Sequence, residues 1–272
     1  MSSVLCRSSC FKSIFTNKKK LKNMQKLFFL LVLILPALAI AQNTEGEIVY
    51  TETIKLEINL PEGHEDMAAS LPKEQKAQKL LYFTATESLY QNAPEDDEGD
   101  DVIEAGEGDV QIKMVIMRPS ENKLYKDLAK AEKIQKEEFF GKLFLISGDL
   151  KKYAWKLTGQ QKKVLDYNCQ QAVYSDDEKK VAVWFTPEIP VSSGPGEYGQ
   201  LPGMILEVSI DDGDRHIVAN KVTFKYLEKD AIVVPKKGKK VTAEEFEEIR
   251  DAKMKEMEEE MGGGGMRIRI RN

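Results

Sequence analysis

The segment Glu47–Leu60, EIVYTETIKLEINL, decides the fold class. Ile48, Tyr50, Ile54, Leu56, Ile58 and Leu60 fall on one side of an extended chain, and Glu47, Val49, Thr51, Thr53, Lys55, Glu57 and Asn59 on the other. Side chains alternate across a strand, so this is a long strand with one face buried. Pro61-Glu62-Gly63 ends it. Beyond Pro72 the sequence predicts a polar helical turn over Lys73–Gln78, then a strand pair or bent strand over Leu80–Tyr90.

The same reading runs outward along the chain. Strands are predicted at Val110–Met117, Lys123–Leu128, Lys133–Glu138, Lys142–Ser147 and Lys152–Leu157. More follow at Lys162–Leu165, Cys169–Ser175, Lys179–Thr186, Met204–Ile210 and His216–Leu227. Turn signals separate them, among them Thr158-Gly159-Gln160, Ser175-Asp176-Asp177 and Asp211-Asp212-Gly213-Asp214. Short strands at regular spacing, without alternating helices, imply a mainly β protein and exclude a doubly wound α/β fold. The expectation for residues 42–240 is a single large curved antiparallel sheet, a half-barrel-like meander. It is similar to the half-barrel of envelope lipoprotein carriers, a likeness of fold that carries no function.

Between the last predicted strands lies Trp184–Val208, WFTPEIPVSSGPGEYGQLPGMILEV. Pro187, Pro190 and Pro195 cannot donate to a central ladder, so 186–200 reads as a loop or an edge. Pro202 and Gly203 suit the central positions of a tight turn, and Met204, Leu206 and Val208 then alternate into a half-buried strand. The loop is either a packing element or the frame of a binding site. The stretch Gln200-Leu201-Pro202-Gly203-Met204-Ile205 resembles the signature of the GLPGLI family, with Gln for the first Gly and Met for one Leu. The likeness extends upstream to Asp166–Ala172 and downstream to the Met- and Gly-rich tail. It implies a small exported protein of the Gram-negative envelope, of a family with no established activity.

Residues 1–41 read as a signal peptide with an upstream extension, Met24 being the start. Leu27–Ile40 is an apolar run broken only by Pro36, and Ala39-Ile40-Ala41 is a small-x-small cleavage site. The run is too short for a comfortable membrane span. Export places the protein in the periplasm or at the periphery of the outer membrane. Cleavage removes seven basic residues and no acids, so net charge moves from −5 to −12. That balance argues against nucleic acid as a partner. Cys169 alone survives cleavage, which rules out an intramolecular disulfide and predicts an inert buried thiol.

Residues 94–109 carry nine acids and three glycines, predicting an acidic disordered loop. The calcium-loop spacing is not matched there. The tail, 241–272, begins with Thr242 capping a helix over Ala243–Met261, with Glu245 completing a capping box. Phe246, Ile249, Met254, Met257 and Met261 fall near one stripe. Met266–Arg271 then alternates as a strand, with Arg267, Arg269 and Arg271 on one face, either as a charged protected edge or as a grip for phosphate or acidic groups.

No catalytic constellation is present: His64 and His216 stand alone, and Glu188 and Glu197 beside the Pro-rich loop form at best a weak acid/base pair. The leading expectation is therefore a non-catalytic binding module for an apolar ligand or an envelope partner, with no cofactor. Its predicted contacts are Trp155, Trp184, Phe185, Tyr198, Leu201, Pro202, Gly203 and Met204. The alternative is a soft-metal protein that holds Cu(I) on the thioethers of Met254, Met257 and Met261.

Overall fold

Backbone pairing, more than helix propensity, shapes this chain. The computed structural model describes residues 44–59, 71–94, 101–105, 112–116, 122–177, 179–260 and 267–270. The signal segment, His64, Met261 and Arg271 lie outside the described residues. Residues 43–272 form a unit of their own.

Its strands are β1 (Gly46–Asn59), β2 (Glu74–Phe83), β3 (Glu87–Asn92), β4 (Asp101–Ala105) and β5 (Ile112–Ile116). Then come β6 (Lys123–Asp127), β7 (Glu132–Phe139), β8 (Lys142–Asp149), β9 (Lys156–Val164) and β10 (Tyr167–Ser175). The last are β11 (Lys180–Thr186), β12 (Met204–Ile210), β13 (Arg215–Phe224), β14 (Lys239–Val241) and β15 (Arg267–Ile270), with helix α1 (Ala243–Glu260) before β15. The main sheet runs β14-β8-β7-β6-β3-β2-β1-β13-β12-β11-β10-β9, and β15 pairs with β1. The protein is mainly β, as the alternation in 47–60 requires.

The order forces curvature. About ten strand spacings separate β8 from β9, roughly 48 Å if the sheet were flat. Asp149 and Lys156 end and begin these strands, so the chain between them spans at most about 25 Å. The sheet must curl until its two margins approach. Bulges assist by increasing local twist. One leaves Asn220 unpaired between the β1 partners Val49 and Tyr50, and another leaves Leu206 unpaired opposite Trp184 and Phe185.

Four expectations are corrected. Residues 74–78 lie in β2, because β1 presents a full-length edge whose ladder overrides weak local helix preference. Thr158-Gly159-Gln160 does not reverse the chain; it forms an irregularity within β9, where Gly159 takes φ +78°. Within the acidic stretch, Asp101–Ala105 pairs with Ile112–Ile116, the apolar Val102 and Ile103 supplying a strand that acid counting concealed. Finally, β14 joins β8 in parallel, so the sheet is mixed and not purely antiparallel. The capping box stands as expected: Thr242 N donates to Glu245 Oε2 at 2.8 Å, and Glu245 N to Thr242 Oγ1 at 3.2 Å. Phe246 and Ile249 of α1 pack with Phe144, Ile146 and Val241.

The main core fills the concave side. Ile48, Tyr50, Leu81, Phe83, Val208 and Ile217 belong to it. Buried with them are residues from the loop 187–203.

Candidate functional site: a polar cleft walled by a buried loop

The loop 187–203 folds into the concavity and is tied there from several strands. It tightens through three-residue turns, Val191 N to Ile189 O and Ser193 N to Val191 O, both 2.8 Å. Met204 N donates to Ile189 O and Ile205 N to Ser193 O, each at 3.0 Å, which docks it on the start of β12. From β1, Tyr50 Oη donates to Ile205 O at 2.8 Å. From β3, Ser88 Oγ meets Ser193 Oγ at 2.9 Å. Trp155 Nε1 donates to Gly199 O at 3.0 Å.

The firmest tie is Lys126 of β6, only 1% exposed. Its ammonium donates to Gly194 O, Gly196 O and Tyr198 O at 2.8, 2.9 and 3.1 Å. An ammonium has three donors, so all are used and three loop carbonyls are satisfied at once. Burial pushes its pKa down to about 7, with Glu197 raising it and Lys133 lowering it further.

This geometry explains the hexapeptide residue by residue. Gln200 sits at φ +64°, a left-handed angle that strains a side chain and that glycine adopts freely. Leu201, Met204 and Ile205 are buried core. Pro202 is the centre of a three-residue turn closed by Gly203 N to Leu201 O at 2.8 Å, tighter than the four-residue turn expected. A Cβ on Gly203 would stand 2.1 Å from Thr186 O, so only glycine fits.

One wall of a cleft is made by Gly196, Glu197 and Tyr198 of this loop. The cleft has a volume of about 320 Å³ and opens on the concave face. Its charged lining consists of Lys79, Lys123, Lys136, Lys179 and Arg215 against Glu52 and Glu197. Both carboxylates are engaged. Glu52 accepts from Arg215 Nε at 2.5 Å and stands 3.7 Å from Lys79 Nζ. Glu197 is ion-paired with Lys133. Burial works against the Glu197 carboxylate, but Lys133, Lys179 and Lys151 outweigh it and its pKa is lowered.

One polar side-chain atom on the cleft face, Tyr90 Oη, is buried with no partner in the described protein. Tyr90 is 8% exposed and its ring meets Tyr50 edge-on at 6.3 Å. Buried polar groups are nearly always satisfied, so such atoms call for an explanation.

The residues expected to form a site sort differently. Phe185, Leu201, Gly203 and Met204 are buried in the core. Trp155 packs on Tyr153 and anchors the loop. Trp184 lies under the Lys162 ammonium at 4.4 Å, and Pro202 is exposed. Among these eight, Tyr198 alone lines the cleft. Glu188 accepts from Asn168 at 2.9 Å, and only Glu197 of that pair reaches the cleft. Met254 is 49% exposed and Met257 half-buried, while Met261 lies outside the described residues. Cys169 is buried, and burial pushes its thiol up to about 11, so it is inert as expected. His216 pairs with Glu207 at 3.1 Å.

The cleft residues escaped sequence reading because they come from β1, β3, β7 and β13 and converge only in the fold. One signal was available. Glu52 shares the face of Ile48, Tyr50 and Ile54, a lone carboxylate on an apolar register. A buried acid of that kind demands a partner, here Arg215.

A family model described as a protein of unknown function (Porph_ging) matches residues 175–207, the stretch that carries β11 and the buried loop. No curated protein sequence matches the chain. Among solved structures, PNGF-II in its P21 form is similar at 17% identity and a TM-score of 0.50, covering 76% of this chain and 33% of that one. PNGF-II in its C2 form is similar at 19% identity and a TM-score of 0.50, covering 76% and 32%. This chain thus spans about a third of those chains, and the likeness is one of fold.

Proposed function

We propose that this is a non-catalytic binding protein whose ligand occupies the concave cleft. The observation that carries the reading is the unpartnered, buried Tyr90 hydroxyl facing a cleft already formed. Preformed concave sites with a few convergent polar groups are the usual form of small-molecule sites. The cleft favours a small polar ligand over an apolar one, since the aromatic residues expected to hold an apolar molecule are packed in the core or against one another. The non-catalytic reading is supported by the lining itself, which contains no His, Cys or Ser, and whose two carboxylates are held in ion pairs. Export to the periplasm or the outer-membrane periphery rests on residues 24–41, and kinship with GLPGLI proteins on the hexapeptide at 200–205.

The test is native mass spectrometry of the protein purified from an envelope extract, compared with Lys179→Trp. Lys179 is half-buried on the cleft lining beside Glu197, so an indole there fills the space without entering the core. A small bound mass in the parent, absent from the variant, is expected. A bound mass that persists in Lys179→Trp refutes the assignment of the cleft.

A further inference from the structure

We infer that the cleft takes a small oxyanion, a carboxylate or a phosphate, held by the outer edge of the Arg215 guanidinium and the hydroxyl of Tyr90. The inference rests on the cleft being the binding site and adds the class of ligand.

Three observations converge on it. First, Arg215 is anchored by one corner only. Its Nε donates to Glu52 at 2.5 Å, and its terminal nitrogens donate to no described residue. A guanidinium held in this way presents two parallel N–H groups, the geometry that fits a carboxylate or phosphate edge. Burial opposes the charge on Arg215, but Glu52 outweighs it, and the pKa is raised. Second, Tyr90 Oη is buried without a partner and lies within electrostatic reach of Arg215 and Glu52. Burial raises the pKa of Tyr90 well above its usual value, so the group is a donor. Burial likewise pushes Tyr198 up to about 12, which leaves a second protonated hydroxyl facing the cleft. Third, the charge of the cleft runs against that of the molecule. The whole chain carries −5, yet Lys79, Lys179 and Arg215 stand at this cleft against Glu52 and Glu197, a local balance of +1.

The experiment is an amide-resolved NMR titration of the purified protein with three probes: inorganic phosphate, gluconate and neutral sorbitol. Saturable shifts at Gln91, Asn92, Gly196 and Arg215 are expected with phosphate or gluconate, and none with sorbitol. The stronger of the two anions assigns the phosphoryl or the carboxylate class. Arg215→Lys keeps a cation beside Glu52 and loses the fork, and the dissociation constant should rise about tenfold or more. Lys179→Gln, at a half-buried position on the cleft lining, should weaken anion binding more at low salt than at high. Sorbitol shifting the same amides, with Arg215→Lys indifferent, overturns the anion and leaves the cleft as the site. No shift at those amides with any probe also overturns the inference; the cleft assignment itself then stands or falls on the Lys179→Trp comparison.

Discussion

Replacing Gly203 by Ala places one methyl group where the structure has no room for it. The new Cβ would lie 2.1 Å from Thr186 O, 2.6 Å from Thr186 C and 2.9 Å from Pro187 Cα. All three are backbone atoms, so no rotamer change relieves the contact, and either β11 or the loop must move. Overpacking of a well-filled interior typically costs about 1–3 kcal/mol, and a clash with main chain belongs at or beyond the upper end. The backbone angle adds its own strain, since φ is +152°. We therefore expect Gly203→Ala to cost about 3–5 kcal/mol, a large share of the stability of an ordinary domain. Gly196→Ala is the internal control. It lies in the same loop at φ +57°, but a Cβ there meets nothing within 4 Å, so only left-handed strain of about 1–2 kcal/mol applies. Urea unfolding followed by tryptophan fluorescence measures both variants, Trp155 and Trp184 reporting on the loop and the sheet beside it. Equal losses for the two variants refute the claim that the hexapeptide is a packed element of the core.

Two other expectations follow from the same loop. Gln200→Gly relieves a positive φ of +64° and should raise stability by about 0.5–1 kcal/mol, read as an increased urea midpoint at unchanged slope. Lys126 makes stability depend on pH. Its folded pKa is lowered from 10.5 to about 7, so between these values the unfolded chain binds more protons and stability rises with pH. Thermal midpoints measured from pH 7 to 9.5 should climb in the parent relative to Lys126→Met, and parallel profiles refute the lowered pKa.

Much of the fold was legible because strands declare themselves locally. The alternation in 47–60 gave β1 almost to the residue, and Met204–Ile210 matched β12. What failed was long-range. Thr158-Gly159-Gln160 has the composition of a turn, yet a bulge in a sheet this curved uses the same residues for the same positive φ. Lys239–Val241 reads as a polar linker and becomes β14 only because β8 offers an edge. Lys126 looks like the outward residue of a polar strand, although it shares its face with Leu124. Nothing local shows that three carbonyls arrive from 68 to 72 residues away. The site was less legible still. Aromatic content near a Pro-rich loop drew attention to Phe185, Leu201 and Met204, whose apolar character serves the core. The charged residues that line the cleft resembled any others in a chain with 40 basic and 45 acidic residues.

The central claim is that the Tyr90 hydroxyl exists for a ligand and not for the fold. Tyr90→Phe removes that oxygen alone, and in the described protein it has no partner to lose. Paired measurement of the urea midpoint and of ligand retention in native mass spectrometry separates the two roles. The account predicts a midpoint unchanged or raised without ligand, because a buried unsatisfied hydroxyl is a cost, together with clear loss of the bound mass. A lowered midpoint with retention unchanged contradicts it.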